Sequence, residues 1–505
     1  MTATASSSAS DSPEEFGYTQ QLHRATGGFA SFAVAFAFVS IATGIFTTYG
    51  SVLNSSGPAG IWTWPIVVVG QTMVALVFGS LAARIPVTGY SYQWMSRLAN
   101  PVLGWIMGWI SFTFLAIVVV AVDYTIASTV LPVLLDYEGN AGNAWLITVV
   151  VLVLQGVLVT FSTTWTERVN NFAVSAELIG MILLVVLLFV VGLVAKELNV
   201  GNLFSTGAVP AEGYFSVGTL TSVGPWVMGT LLGAFTIVGF ESAANLAEET
   251  KEPARVVPRA MWQAVLASGI LGFLFLIVVT LLAGDPVELA ESATPIADVV
   301  HRVLGPVVGT GLLVLVVIAI FACGMVILMT GVRLIWAMSR DDRFPGHRAI
   351  KRISPRFGTP AVAAVAFVLI AQAILAVFAL QTDALFSLFS AATLLPAVIY
   401  AATILLYIVK RRSLPASKGF SLGRWEVPVL VLASAWLIFE LLIFRDASFA
   451  TAWVYVAIMV VLGGVYLTFL LVSRGGVRGL AMPDMHSIDA ELDADARQAH
   501  RSHDA

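Results

Sequence analysis

Charge is what this sequence has least of. Only 11% of its 505 residues are Asp, Glu, Lys or Arg, against 58% that are hydrophobic, and the mean hydropathy is +0.90. Soluble domains carry about a quarter charged residues, so a water-soluble globular fold is excluded. Cysteine is scarcer still. The single Cys323 rules out an internal disulfide and has no partner for a thiolate metal site. The six histidines, His23, His301, His347, His486, His500 and His503, all fall outside the apolar stretches, so no metal-binding or catalytic set is expected at depth. No Gly-rich loop runs into Lys-Ser or Lys-Thr, which removes the phosphate cradle that an ATP-driven pump needs. An enzyme, a cofactor and a nucleic-acid partner all lack support. The first 25 residues are rich in Ser, Ala and Glu without an apolar run, so no cleavable signal is expected there.

What is abundant is apolar sequence long enough to cross a bilayer. Twelve such stretches can be drawn, at 29–49, 60–83, 102–131, 144–163, 169–194, 224–246, 261–283, 308–338, 360–380, 385–409, 426–445 and 450–473. Residues 1–25 and 475–505 read as disordered tails around a membrane domain at 26–474. With twelve spans, the loops on the side of the termini collect Arg84, Arg97, Arg168, Lys251, Arg255, Arg259 and the basic runs around 340–356 and 410–424. The opposite loops hold only Lys196, Arg302 and Arg445 of the 26 basic residues. The positive-inside rule therefore predicts that both termini are cytoplasmic. The loop at 84–100 reads as an amphipathic interfacial segment, and the acidic loop at 284–306 as an external lid.

Two of the stretches are interrupted at their middles. The first carries Ser40-Ile41-Ala42-Thr43-Gly44-Ile45-Phe46, and the sixth carries Phe235-Thr236-Ile237-Val238-Gly239-Phe240-Glu241. Small, hydroxyl-bearing and glycine residues at depth let a helix unwind, and the freed N–H and C=O groups must line a cavity or hold a ligand. Spans 1–5 (29–194) and 6–10 (224–409) run in opposite senses, with two further helices at 426–473. Paired broken helices in an inverted five-helix repeat point to the substrate site of a secondary transporter.

Three motifs then carry a resemblance. Gly239-Phe240-Glu241-Ser242-Ala243-Ala244-Asn245 through Glu248-Glu249-Thr250-Lys251-Glu252-Pro253 resembles the sixth-helix motif of the amino acid–polyamine–organocation superfamily. Arg333-Leu334-Ile335-Trp336-Ala337-Met338-Ser339-Arg340-Asp341-Asp342-Arg343 resembles its eighth-helix exit, and Pro86-Val87-Thr88-Gly89-Tyr90-Ser91-Tyr92 with Gly104-Trp105 and Gly108-Trp109 is similar to its amino acid/choline branch. The resemblance implies an all-helical, leucine-transporter-type fold, alternating access, and amino acids or small amines as substrate. At the first break the chain departs from the family's Gly-Ser-Gly-Ile-Phe, reading Ala42-Thr43-Gly44-Ile45-Phe46. One exposed amide fewer weakens the case for a carboxylate ligand, while Phe235 and Phe240 either wall the site for an ammonium or serve as packing.

Four ionisable residues lie inside spans, where charge is costly. Asp123, beside Tyr124 in span 3, either meets a substrate ammonium or is a wetted carboxylate of the outer vestibule. Glu177 stands nine residues after Arg168, where relatives with a similar Arg-x-Asn start to the fifth helix carry a Lys in the place a sodium ion takes elsewhere in the fold. A carboxylate there suits proton coupling, with a structural hydrogen bond or an ion site as the alternatives. Span 8 has no hydroxyl near its middle, Ile320-Phe321-Ala322-Cys323-Gly324-Met325, which makes a poor sodium cage and favours the proton. Glu241 reads as a helix cap or an inner gate, Glu440 as an interfacial residue, and Glu248 with Glu249 as a solvated helix end near Lys251 or Arg255. The expected function is a proton-coupled importer in the cell membrane. Its site would be Ser40, Ala42, Thr43, Gly44, Ile45, Phe235, Ile237, Val238, Gly239 and Phe240 with Asp123 or Tyr124, and Glu177 and Glu241 would couple or gate. An exchanger, or a non-transporting nutrient receptor on the same fold, is the alternative.

Overall fold

The computed structural model describes residues 22, 24, 26–161, 163–378, 384–417 and 419–480; the disordered tails expected at 1–25 and 475–505 lie mostly outside them. Where the second tail is described, Val477–Leu480 forms a 3-10 turn, and the buried Leu480 accepts a hydrogen bond from Arg343 through its carbonyl. Among the described residues the chain is helical, with no strand beyond an isolated bridge between Thr26 and Thr250.

Among the described residues, eleven helices are long and apolar enough to cross a bilayer. They are span 1 (Gly28–Ser56), span 2 (Pro58–Ala82), span 3 (Pro101–Leu135), span 4 (Ala141–Phe161), span 5 (Thr163–Ala195), span 7 (Pro253–Leu281), span 8 (Pro295–Arg340), span 9 (Ala361–Phe378), span 10 (Ala384–Lys410), span 11 (Gly423–Ile443) and span 12 (Ala447–Ser473). Span 6 is the missing twelfth. It is split into Pro225–Met228, Thr230–Thr236, Ser242–Asn245 and Ala247–Glu249, each piece too short to cross alone. The local signals are ordinary ones. Span 3, for example, starts where the Asn100 side chain accepts from the Val102 and Leu103 amides and Pro101 fills the first helical position.

The packing repeats under a shift of five spans. Span 2 packs on span 7, span 3 on span 8, and span 4 on span 9. Span 5 packs on span 8 as span 10 packs on span 3, and span 1 meets span 5 as span 6 meets span 10. This is the inverted repeat read from span order. Spans 4, 5, 9, 11 and 12 form an outer ring whose exposed Val, Leu, Ile and Phe side chains, among them Ile179, Leu369, Val431 and Val465, are the surface hydrocarbon would cover.

Two of the segments read as loops contain helix. The segment at 284–306 is helical: Pro286–Glu291 is followed by the start of span 8, which bends at Gly305 with φ 74°. Prolines at the first helical positions of both pieces start helices that hydropathy alone does not reveal. The segment at 84–100 turns its aromatic side chains to protein neighbours. Its helix Tyr90–Leu98 buries Tyr90, Tyr92 and Trp94 against spans 2, 3 and 10, with Trp94 edge-on to Phe78 and Ser91 bonded to Thr403. Its aromatic side chains are wanted by protein neighbours more than by headgroups.

At the end of the bundle where spans 1 and 5 begin, the chain ahead of span 1 is laced to the end of span 6. The Thr26 amide donates to Glu249 O at 3.0 Å, and the Lys251 amide donates to Thr26 O at 3.0 Å.

Candidate functional site

Span 1 breaks at one residue. Ser40 alone leaves helical geometry (φ 27°, ψ 99°), and its hydroxyl accepts from the Thr43 amide at 3.3 Å and from Thr43 Oγ1 at 2.8 Å, capping the helix Ile41–Ser56. The expected unwinding through Thr43 and Gly44 does not occur, because that cap lets the helix restart at once. Ala42, Thr43, Gly44 and Ile45 are helical and buried. Gly44 is there for close approach: a Cβ on it would lie 2.1 Å from Thr236 Oγ1 of span 6.

Glu177 of span 5 closes this break. Its Oε1 accepts from Ser40 Oγ at 3.0 Å and from the Ala42 amide at 3.3 Å, and the residue is buried. On the other side, the Cys323 thiol of span 8 donates to Phe38 O at 3.4 Å. The place where sequence comparison looked for a sodium-binding hydroxyl is thus filled by a thiol that contacts the same break.

Span 6 breaks over five residues, Ile237 to Glu241, all of them buried. Gly239 has φ +81°, a conformation that side chains disfavour, and a Cβ would lie 1.8 Å from the Phe38 ring. Its amide donates to Tyr400 Oη at 2.9 Å, and that hydroxyl donates to Glu241 Oε2 at 2.6 Å. Glu241 makes no side-chain cap bond to the helix it precedes, so the cap reading is corrected: the carboxylate turns to Tyr400 of span 10. Phe240 packs on Phe78 and Tyr400, and Phe235 on Phe389. Ile237 and Val238 complete the buried turn.

The two breaks touch. Gly44 lies on Thr236, Phe38 on Gly239, and Ser242 Oγ donates to Val34 O at 3.4 Å. Asp123 is adjacent rather than in a wetted vestibule, which corrects that reading. It is fully buried, and Oδ1 accepts from Gln155 Nε2 at 2.8 Å beside Gly324, the residue after Cys323. Its Oδ2 has no hydrogen-bond partner among the described residues. Tyr124 is half-buried, and no hydrogen bond joins its hydroxyl to either break among the described residues.

The three motifs meet at the end of this site nearer the starts of spans 1 and 5. Arg333 Nε donates to Glu249 Oε1 at 2.8 Å, and Arg340 pairs with Glu248 at 2.9 and 3.1 Å. The Thr88 amide donates to Glu248 Oε1 and the Gly89 amide to Asn245 Oδ1. Asp341 accepts from Tyr92 Oη, and Arg343 donates to Tyr92 Oη and Ser96 Oγ. Glu248 and Glu249 are therefore not a solvated end paired with Lys251 or Arg255. They are buried at 1% and 3%, and their arginines come from span 8, some 84 or more residues away in sequence. Glu440, expected at an interface, is buried instead against Gln71 of span 2 at 3.4 Å. Here span 11 covers the repeat rather than standing apart from it, a contact that hydropathy cannot report. Sequence reasoning missed Gln155, Tyr400, Arg333 and Arg340 as partners. Arg333 and Arg340 were quoted in a motif, but only folding shows which carboxylates they meet.

Comparison with known proteins agrees over nearly the whole membrane region. A family profile described as amino acid permease matches residues 27–466. The chain is 24% identical to the amino-acid permease BAT1 of Arabidopsis thaliana over 453 residues, covering 84% of this chain and 86% of that protein. It is 25% identical to the GABA-specific permease of Saccharomyces cerevisiae over 397 residues, covering 74% and 67%. It is 24% identical to the low-affinity putrescine importer PlaP of Escherichia coli over 322 residues, covering 63% and 67%.

Proposed function

The chain belongs to the amino acid permease family, and we propose that it imports its substrate by proton symport with alternating access, with Glu177 as the proton carrier. At the coarser level it is a multi-pass membrane transporter of amino acids or amines, not an enzyme. Substrate sits between the breaks, against Ser40, Ala42, Thr43, Gly44 and Ile45 on one side and Phe235, Ile237, Val238, Gly239 and Phe240 on the other. Asp123 receives the ammonium through the oxygen that no protein group uses. Tyr124 is the lesser member of this set, and Glu241 with Tyr400 gates the span 6 break. Relatives named for GABA and for putrescine support a small amine-bearing substrate. The basic loops support a cell-membrane protein with both termini in the cytoplasm.

The observation that carries the proton reading is the company Glu177 keeps. Two donors serve one of its oxygens, and among the described residues no Lys, Arg or His pairs with it. An uncompensated charge at that depth costs several kcal/mol. Taking up a proton cancels that charge while leaving an oxygen to accept from Ser40 and Ala42. When the proton leaves, the carboxylate binds the break more tightly, because charge-assisted hydrogen bonds are about twice as strong as neutral ones. The state of one proton therefore sets how firmly span 5 holds span 1.

The test is Glu177→Gln in proteoliposomes. The amide keeps the shape of the protonated acid but cannot cycle. Accumulation driven by an inward proton gradient should vanish, while exchange of labelled for unlabelled substrate persists. Wild-type uptake should rise as external pH falls, collapse with a protonophore and ignore replacement of sodium by potassium. Undiminished accumulation by Glu177→Gln, or a sodium requirement, overturns the reading. Exchange without accumulation in the wild type makes the protein an exchanger, and binding without either makes it a receptor.

A further inference from the structure

Span 5 presents a buried stripe toward spans 1 and 8. Asn170, Val174, Glu177, Met181, Leu184 and Leu188 follow one another at spacings of four, three, four, three and four, the spacing of one helix face, and all are buried. Two small cavities open on this stripe, one on either side of Glu177. The outer one, about 10 Å³, is lined by Glu177, Ala42, Gly180, Met181, Val316 and Ala319 and is otherwise apolar. The inner one, also about 10 Å³, is lined by Asn170, Asn171, Glu167, Thr166, Glu249 and Met329. Each has room for about one water molecule.

The inner cavity is built for water. Asn170 is 1% exposed, and neither its Nδ2 nor its Oδ1 has a hydrogen-bond partner among the described residues. Asn171 Oδ1 is likewise buried without one. A buried amide left without partners costs about 1–3 kcal/mol per group, and one water that donates to Asn170 Oδ1 and accepts from Nδ2 removes that cost. Asn170 lies seven residues from Glu177, about 10 Å along the helix, with Val174 between them as an apolar plug.

We infer that the recess at Asn170 is an internal water site, and that the proton carried by Glu177 leaves through it along the span 5 face, apart from the substrate's route between spans 1 and 6. The role of the water rests on Glu177 being the carrier; the water site itself does not. In the outward-facing step, a hydronium reaching the outer cavity gives its proton to the Glu177 carboxylate and remains as water. In the inward-facing step the Glu177 O–H bond breaks, a water drawn past Val174 from the Asn170 recess takes the proton, and the carboxylate is regenerated. The Arg333–Glu249 pair beside the recess keeps that exit shut while the inner end is closed.

Two measurements test this separately. The first is radiolytic hydroxyl-radical labelling of the detergent-purified full-length protein, read by mass spectrometry. Met329 and Met181 line the two cavities yet are only 3% and 2% exposed, while Met325 is 0% exposed and lines neither. Met329 and Met181 should oxidise at least five-fold faster than Met325. Asn170→Leu should slow Met329 toward the Met325 rate and leave Met181 alone. Equal rates at Met329 and Met325 in the wild type overturn the water site. The second measurement is proton-driven accumulation beside exchange for Asn170→Leu and Asn170→Ser. Leu should lower the initial rate of gradient-driven uptake about ten-fold with exchange kept, and Ser, which still holds water, should retain most of it. Normal coupled uptake in Asn170→Leu overturns the exit route, and so does a Ser variant as poor as Leu. If instead wild-type uptake ignores the proton gradient while Met329 labels fast, the carrier reading fails and the water site stands.

Discussion

The breaks in span 1 and span 6 meet the same difficulty, free main-chain amides at bilayer depth, and they meet it with the same two groups in exchanged places. In span 1 the break supplies the hydroxyl, Ser40, and the repeat partner span 5 supplies the carboxylate, Glu177. In span 6 the break supplies the carboxylate, Glu241, and span 10, the repeat mate of span 5, supplies the hydroxyl, Tyr400. Each supplied group also takes one amide of the break, Ala42 to Glu177 and Gly239 to Tyr400. The difference lies in which element carries the ionisable group. Glu241 travels with its break, whereas Glu177 sits on a continuous helix and can let go. A coupling group belongs at the second kind of place.

The largest effect expected from breaking this comparison is at the glycines. Gly239→Ala should abolish transport, because it combines a Cβ inside the Phe38 ring with a left-handed φ that costs about 1–2 kcal/mol for other residues. Adding Phe38→Ala removes the first fault and not the second, so uptake should stay well below wild type. Gly44→Ala brings its Cβ nearest to the Thr236 side chain, whose Cβ is 2.5 Å away, and Thr236→Gly should restore most of the activity. Equal rescue of both glycines, measured by initial uptake normalised to surface expression, would erase the distinction between a strained break and a close-packed helix.

A middle-sized effect separates the hydroxyls. Tyr400→Phe leaves the Gly239 amide and Glu241 Oε2 without their shared partner and should destabilise the purified protein by about 1–3 kcal/mol. Ser40→Ala removes a cap of about 1 kcal/mol, and the Ala42 amide still holds Glu177. Thermal unfolding in detergent should therefore shift more for Tyr400→Phe, and the reverse order would mean that span 1 depends on its hydroxyl more than span 6 does. The smallest effect is at Asp123→Asn, which preserves a bond to Gln155 and should weaken competition by amine-bearing substrates several-fold with expression unchanged. Unaltered apparent affinity across amino acids, GABA and putrescine would remove Asp123 from the site.

Much of this was legible in the chain. The twelve spans, the opposed repeats and the two breaks follow from apolar length, glycine and hydroxyl placement, which act locally or over one helix. Glu177 was also legible, but through the resemblance: relatives carry a Lys nine residues after the same Arg, and a count along one helix carries that place over to this chain. What could not be read are pairings across the bundle. Nothing in Glu248-Glu249 says that Arg340 and Arg333 will fold over them, since the nearer Lys251 and Arg255 are equally basic. Glu440 looked interfacial because hydropathy reports depth and not neighbours; Gln71 makes its burial tolerable. The single-residue width of the span 1 break escaped for a related reason. Gly44 reads as a helix breaker by composition, and only the contact with Thr236 shows it as a packing residue.

The lacing of Thr26 between Glu249 and Lys251 joins the start of span 1 and the end of span 6 into one mechanical part. Swinging the foot of span 1 away from span 6 must first unzip two main-chain hydrogen bonds, each about 1 kcal/mol net. The Glu249 they anchor is the residue Arg333 grips, so the clasp and the ion pair load in series. On the proposed alternating access, a pull on either would be felt by the other, and opening would be a single threshold event instead of a gradual splaying of two helices.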